Sequence, residues 1–79
     1  MKEIVCLSEL KINEKGIVER VDGFGAIRRR LFDMGVTKGA KVELKKVAPL
    51  GDPIQILIRG YDLSLRKKEA NYIFVEVDD

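Results

Sequence analysis

The chain has 79 residues, and its 15 lysines and arginines nearly balance 13 aspartates and glutamates, which gives a formal net charge of +2. A chain of this length forms one small domain, residues 1–79, with little room for a deep active site. The weak net charge provides no strong field for attracting nucleic acid or anionic lipid. We therefore expect one compact domain that does not bind nucleic acid.

The residues that usually carry catalysis and metal binding are scarce. The chain has no histidine and one cysteine, Cys6. Ser8 and Ser64 therefore have no histidine base, and Cys6 lacks the partner ligands that a zinc or iron site needs. We predict no catalytic residue, no metal ligand and no cofactor, so the protein is not expected to be an enzyme. Cys6 is interpreted as a small buried apolar residue.

The beginning of the chain predicts neither secretion nor membrane insertion. The apolar run 4–7 is far too short for a membrane span, and Glu3 lies where a secretory signal is basic. With one cysteine the chain has no internal disulfide, which is typical of reducing compartments. We expect a cytoplasmic protein.

The first predicted strand covers residues 16–21. Asn13, which tolerates positive φ, precedes it. Strict alternation places Ile17 and Val21 on the inner face of this strand and Val18 on the outer face.

A helix is predicted over residues 25–34, because its apolar residues follow helical spacing, and Gly35 ends it. The next strand is predicted over residues 41–47. Val47 falls out of phase with the alternation of this strand, which indicates a bulge or a strong bend.

Two reversals of the chain follow within twenty residues. At the first, Gly51 supplies positive φ, Asp52 can accept a nearby backbone N–H, and Pro53 keeps Asp52 out of the helical region. At the second, apolar residues alternate on both sides of Gly60. This pattern predicts two adjacent antiparallel strands.

The chain ends with one helical turn, residues 67–71, and a last strand, residues 72–77. The predicted fold class is therefore mainly β with one short helix. We predict a small SH3-like five-stranded antiparallel barrel.

Two surface features indicate contacts with a partner. Arg28, Arg29 and Arg30 resemble a phosphate-contacting patch, but helical geometry spreads them over different sides. We interpret them as a solvated face, with recognition of acidic groups on a partner as the alternative.

The outer face of the sheet is predicted to carry several apolar side chains. They are Val18, Leu57, Tyr72 and Phe74. Scattered apolar surface residues are common, but a cluster of these four would form a partner or self-association surface.

Several short motifs extend over nearly the whole chain. They are Arg30-Leu31, Met34-Gly35-Val36, Gly39, Ala48-Pro49-Leu50-Gly51-Asp52-Pro53, Arg59-Gly60-Tyr61, Leu63-Ser64-Leu65-Arg66 and Glu69-Ala70. Together they resemble the ferrous iron transport protein A (FeoA) family. The chain departs from the family pattern at Ile12-Asn13 and at Lys38, where proline-containing turns are usual.

The resemblance implies an SH3-like cytoplasmic accessory protein of ferrous iron uptake. Such a protein would bind and regulate the membrane transporter FeoB, a large protein with a GTP-hydrolysing domain. The family is also described as metal-associated, because a related module closes the C-terminus of metal-dependent repressors. The residues of this chain favour protein binding over metal binding.

The candidate partner-binding residues lie in one turn, one helix and two strands. They are Leu50, Gly51, Asp52, Pro53, Arg29, Arg30, Leu57 and Phe74. Leu50 ranks first because an apolar residue at the tip of a turn is unusual. The alternative for Leu50 is that it folds back to cap the barrel.

Two other functions stay open at this point. SH3-like barrels also bind RNA, so a nucleic-acid or ribosome-associated protein is one alternative. A stand-alone relative of the C-terminal domain of metal-dependent repressors is the other. Nothing in the sequence resembles a helix-turn-helix, so such a relative would need another chain to act on DNA.

Overall fold

The computed structural model describes residues 2–78. Six antiparallel strands form one sheet in the order β1-β6-β2-β3-β4-β5. The strands are β1 (Lys2–Cys6), β2 (Lys15–Val21), β3 (Lys41–Val47), β4 (Ile54–Ile58), β5 (Tyr61–Leu65) and β6 (Ile73–Asp78). A 3-10 turn at Leu7–Glu9 and the helices α1 (Ala26–Asp33) and α2 (Lys67–Ala70) complete the described part.

All five predicted strands are present, and the sequence missed a sixth. The missed strand, β1, pairs along its whole length with β6, and Val5 lies opposite Val75. Sequence patterning did not find it because its residues are mostly exposed and no turn signal separates it from the 3-10 turn. Strand β1 and strand β5 end the strand order, so hydrogen bonds do not close the described sheet into a complete barrel.

The predicted facing of β2 was wrong at two positions. Val18 is 1% exposed and lies in the core, whereas Ile17 is 42% exposed on the outer face. Val18 and Val21 are both buried although they are three positions apart, which in a regular strand would place them on opposite faces. The reason is a register shift between Val18 and Arg20, where β2 pairs with β6. The extra residue at this bulge turns Val21 toward the core, on the same side as Val18.

The predicted bend in β3 is confirmed. The register between β3 and β4 shifts between Leu44 and Lys46, so that Val47 pairs with Ile54. The extra residue bends β3 and increases its twist. Such bending lets one sheet wrap around its own core.

The core consists of the inward residues of five strands and of residues from the helices and loops. The largest fully buried side chains are Leu7, Leu31, Ile56, Ile58, Leu65 and Ile73. Helix α1 contributes Leu31 and packs its partly buried face against this core. Neither helix within residues 2–78 is long and apolar enough to cross a membrane.

The turn between β4 and β5 is a two-residue hairpin. Ile58 pairs with Tyr61, so only Arg59 and Gly60 form the loop. Their φ values are 50° and 85°. Positive φ at both central positions gives a turn whose twist matches that of the two strands. The reversal predicted at Gly60 is therefore confirmed, with Arg59 sharing the left-handed conformation.

This hairpin is fixed to the C-terminal end of α1. The Arg59 Nε donates to the Gly35 carbonyl at 3.0 Å, a guanidinium nitrogen of Arg59 donates to Thr37 Oγ1 at 2.5 Å, and the Tyr61 hydroxyl donates to the Met34 carbonyl. A Cβ at Gly35 would lie 3.3 Å from both Arg59 and Tyr61, and its φ is 90°. Glycine is thus needed there for both backbone conformation and space.

The corrected facing of β2 gives a stability prediction. We expect Val18→Ala to lower the free energy of unfolding by about 2 kcal/mol, because it removes methyl groups from a filled core. Ile17→Ala, the neighbouring control, should cost less than about 1 kcal/mol because its side chain is exposed. Urea unfolding of both variants measures the difference. A larger loss for Ile17→Ala would contradict the assigned inner face.

Candidate functional site

The loop between β3 and β4 presents Leu50 on a hydrogen-bonded turn. The Gly51 N–H donates to the Ala48 carbonyl at 2.7 Å, and the Ala48 N–H donates to the Pro53 carbonyl at 3.0 Å. Gly51 has the expected positive φ, 90°. Leu50 is 97% exposed, so it does not fold back to cap the barrel. An apolar side chain is therefore held in solvent by an ordered backbone.

Asp52 joins this turn to α2. Its carboxylate accepts the Lys67 N–H at 2.9 Å, a bond between residues fifteen positions apart. The sequence predicted a local hydrogen bond instead. The difference arises because Lys67 begins α2, and the first N–H groups of a helix have no partner inside the helix.

On its other side, α2 is joined to α1 through Glu69. One oxygen of the Glu69 carboxylate accepts the Arg66 N–H at 3.0 Å, and the other lies 3.4 Å from an Arg30 guanidinium nitrogen. Glu69 is 6% exposed. The structure thus connects two predicted candidates, Arg30 and the turn, through a helix of one turn.

We call this region the Leu50 surface. It consists of the turn 48–53, Arg30, Arg66, Lys67 and Lys68. The last three are all exposed, and the sequence prediction did not include them as candidates. The signal was available, because three consecutive basic residues precede Glu69. It was interpreted only as the start of a helical turn.

The other two arginines of α1 point to different surroundings. Arg28 donates from Nε to the Val21 carbonyl at 3.3 Å and stacks on the Phe32 ring, 4.4 Å from its centroid. Arg29 is exposed. As helical spacing predicted, the three arginines do not form one stripe. Of the two predicted candidates on α1, Arg30 forms an ion pair with α2 through Glu69.

The four apolar residues predicted for the outer face of the sheet do not form one cluster. Val18 is in the core, and Tyr72 precedes β6 instead of lying in it. Phe74 is half-buried beneath the Arg20 guanidinium, 4.2 Å from the ring centroid. Leu57 is half-buried on β4, and two strands separate β4 from β6. Leu57 and Phe74 therefore belong to separate parts of the sheet.

Leu57 and Ile17 line a shallow groove of about 810 Å³ on the outer face. The charged residues around it are Lys2, Glu14, Lys15, Lys41, Glu43, Arg59, Glu76 and Asp78. Four are positive and four are negative, and one such pair, Lys2 and Glu76, is in contact at 3.5 Å. The groove therefore has no preference for one sign of charge.

Phe24 is a second exposed apolar residue that the sequence prediction missed. It is 89% exposed between Gly23 and Gly25, which both have positive φ. This Gly-Phe-Gly segment lies between β2 and α1, where the chain changes from strand to helix. The outward direction of the ring follows from tertiary packing.

Cys6 is half-buried, less than the sequence predicted. Its thiol donates to the Asn71 carbonyl, with sulfur and oxygen 3.6 Å apart. Burial raises the pKa of the thiol, and the negative charge of Glu9 raises it further. A raised pKa keeps the thiol protonated and weakly nucleophilic at neutral pH.

The contact between Asp52 and α2 leads to a second prediction. Asp52→Ala should speed hydrogen exchange of the Lys67 amide and lower the free energy of unfolding by about 1 kcal/mol, because one net hydrogen bond is lost. Asp62→Ala, an exposed aspartate on β5, is the matched control. Exchange followed by NMR gives the residue-specific answer. Equal exchange of the Lys67 amide in both variants would contradict the role of Asp52.

Comparison with known proteins identifies the family. The family model described as FeoA domain matches residues 5–77. A curated Fe(2+) transport protein A/Fe(2+) transporter FeoB fusion protein of Porphyromonas gingivalis is 38% identical over 71 residues, which cover 90% of this chain. The matched part is 8% of that protein's length, so this chain corresponds to a small portion of the relative.

Solved structures agree. An FeoA-like protein from Clostridium acetobutylicum has a TM-score of 0.89 and 42% identity, covering 98% of this chain and 90% of its own. Stenotrophomonas maltophilia FeoA, a prokaryotic SH3 domain protein complexed with zinc, has a TM-score of 0.77 and 33% identity, covering 87% and 86%. The predicted SH3-like fold is thereby confirmed.

A manganese-dependent transcriptional repressor shares the fold alone. Its TM-score is 0.88 at 15% identity, and the match covers 99% of this chain and 44% of the repressor. The family model and the relatives above with 33% identity or more all carry the name FeoA or Fe(2+) transport protein A. The family model, the fused relative and the solved structures together show that this chain belongs to the FeoA family.

Proposed function

We propose that this chain is a cytoplasmic accessory protein of ferrous iron uptake that binds the membrane transporter FeoB and regulates it. The observation that carries the proposal is the relative in which an Fe(2+) transport protein A is fused to FeoB. Fusion keeps two domains at a high effective concentration, which is useful when they work in contact. A separate chain must provide enough affinity for the same contact by itself.

The Leu50 surface is the proposed contact site. Leu50 is an exposed apolar side chain on a turn with two backbone hydrogen bonds, so the backbone of the turn loses little conformational freedom on binding. An exposed apolar side chain of this kind can fill an apolar pocket on a partner. Leu57 and Phe74 are weaker candidates because both are half-buried and lie in separate parts of the sheet.

Regulation follows from a difference in affinity. If the domain binds one conformation of the transporter's cytoplasmic part more tightly than another, it shifts the population toward the first conformation. This mechanism needs no catalytic residue on the accessory chain. We therefore propose a binding role for it and not an enzymatic one.

The zinc complex of the S. maltophilia protein raises the question of a resident metal. The residues of this chain do not fit one: within residues 2–78, no three histidine, cysteine, aspartate or glutamate side chains come together where they could hold an ion. Cys6 also uses its thiol proton on a backbone carbonyl. The proposed binding role needs no bound metal, and iron is only the cargo of the transporter.

The proposal predicts the effect of one substitution. Leu50→Ser should weaken binding to the purified cytoplasmic part of FeoB by at least about tenfold, because the apolar contact at the turn tip is lost. Biolayer interferometry with and without guanine nucleotide provides the measurement. Ile12→Ser, which changes another exposed apolar residue, is the control and should bind like the unmodified chain.

Two results would count against this proposal at different levels. Unchanged affinity of Leu50→Ser, with the fold retained, would exclude the turn as the contact. Absence of binding by the unmodified chain in every nucleotide state would contradict the partnership itself.

A further inference from the structure

Two carboxylates in or next to the Leu50 surface, those of Asp52 and Glu69, accept hydrogen bonds inside the molecule. The Asp52 carboxylate accepts the Lys67 N–H at 2.9 Å. The buried Glu69 carboxylate accepts the Arg66 N–H at 3.0 Å and lies 3.4 Å from the Arg30 guanidinium. Glu69 is buried and paired with a cation, whereas Asp52 is exposed and keeps its negative charge, because its partner is a neutral N–H.

Three basic side chains of the same surface are exposed and form no ion pair within residues 2–78. Arg66, Lys67 and Lys68 are exposed. None of the four ion pairs found within residues 2–78 includes any of these three side chains. The surface therefore has local positive charge although the whole chain carries only +2. Local charge of this kind selects partners and accelerates their association.

The exposed Leu50 at the tip of the turn indicates which class of partner this surface binds. Asp52 lies two residues from Leu50 and its carboxylate accepts the Lys67 N–H, so the turn that carries Leu50 lies beside the start of α2. Single-stranded nucleic acid is usually held by aromatic rings that stack on bases, and no residue of the Leu50 surface is aromatic. An apolar pocket bordered by carboxylates would match both the leucine and the positive charges.

We propose that the Leu50 surface recognises an acidic protein segment, in which carboxylates face Arg66, Lys67 and Lys68 and an apolar pocket receives Leu50. The proposal rests on the proposed function, because it names the chemistry of the FeoB segment that this surface contacts. The basic residues and Leu50 have separate tasks in this recognition. The basic residues accelerate encounter, and Leu50 slows dissociation.

The test compares two double variants with the same change in charge. Lys67→Gln/Lys68→Gln removes two charges from the Leu50 surface and leaves the backbone hydrogen bond to Asp52 in place. Lys11→Gln/Lys38→Gln removes two exposed charges from other loops. Association and dissociation rates with the purified cytoplasmic part of FeoB are measured from about 50 mM to about 500 mM salt, since screening grows over this range.

We expect the first double variant to associate about tenfold more slowly at low salt and to depend less steeply on salt. The second should stay within about twofold of the unmodified chain, because its charges lie outside the patch. Leu50→Ser should mainly raise the dissociation rate. A carbodiimide, which joins a lysine amine to a carboxylate by an amide bond with loss of water, should couple Lys67 or Lys68 to an acidic residue of the transporter.

Four results would overturn the proposal. Equal effects of both double variants would mean that only net charge matters. If the unmodified chain binds FeoB and the first double variant associates and dissociates at the same rates, recognition of an acidic segment would be excluded. The proposed function would not be affected by that result. If the unmodified chain binds single-stranded polyuridine, and the first double variant loses this binding but still binds FeoB, the Leu50 surface would be assigned to nucleic acid. Absence of FeoB binding by the unmodified chain would end both proposals together.

Discussion

The arrangement of the Leu50 surface depends on the hydrogen bond and the ion pair that the buried Glu69 carboxylate makes. A carboxylate loses hydration when it is buried and needs compensating donors. Glu69 finds them in the Arg66 N–H, where it caps α2, and in Arg30 on α1. Because Arg30 is largely exposed, solvent weakens its attraction, and the backbone hydrogen bond is the more secure contribution. Together they fix a one-turn helix that could not form in isolation.

Fixing α2 has a consequence for the turn that carries Leu50. The first amide of α2 needs a partner outside the helix, and Asp52 provides it. The turn is thereby attached to the body of the protein at a point two residues from its tip. Leu50 can remain exposed on this turn because the loop does not need leucine packing to stay ordered. A fixed, exposed apolar group is better prepared for binding than a mobile one.

The motifs that resemble the FeoA family are mostly explained by such structural contacts. Arg59 and Tyr61 bond to carbonyls at the end of α1, and Gly35 leaves space for them. Arg30 and Glu69 contact each other across the two helices. These motifs mark the fold because they join elements that are distant along the chain. A shared motif is therefore weaker evidence for a binding residue than exposure without an internal partner, as at Leu50.

The sequence by itself determined the mainly β class, five of the six strands, the helix and the turns at Gly51 and Gly60, because period-two alternation and glycine conformations are local properties. Tertiary structure decided the rest. The bulge in β2 reversed the facing of Ile17 and Val18, and β1 became a strand only by pairing with β6. The Leu50 surface depends on contacts between residues far apart in the chain, such as Asp52 with Lys67. No local pattern specifies these contacts, since they form only when the sheet bends and brings α2 beside the turn.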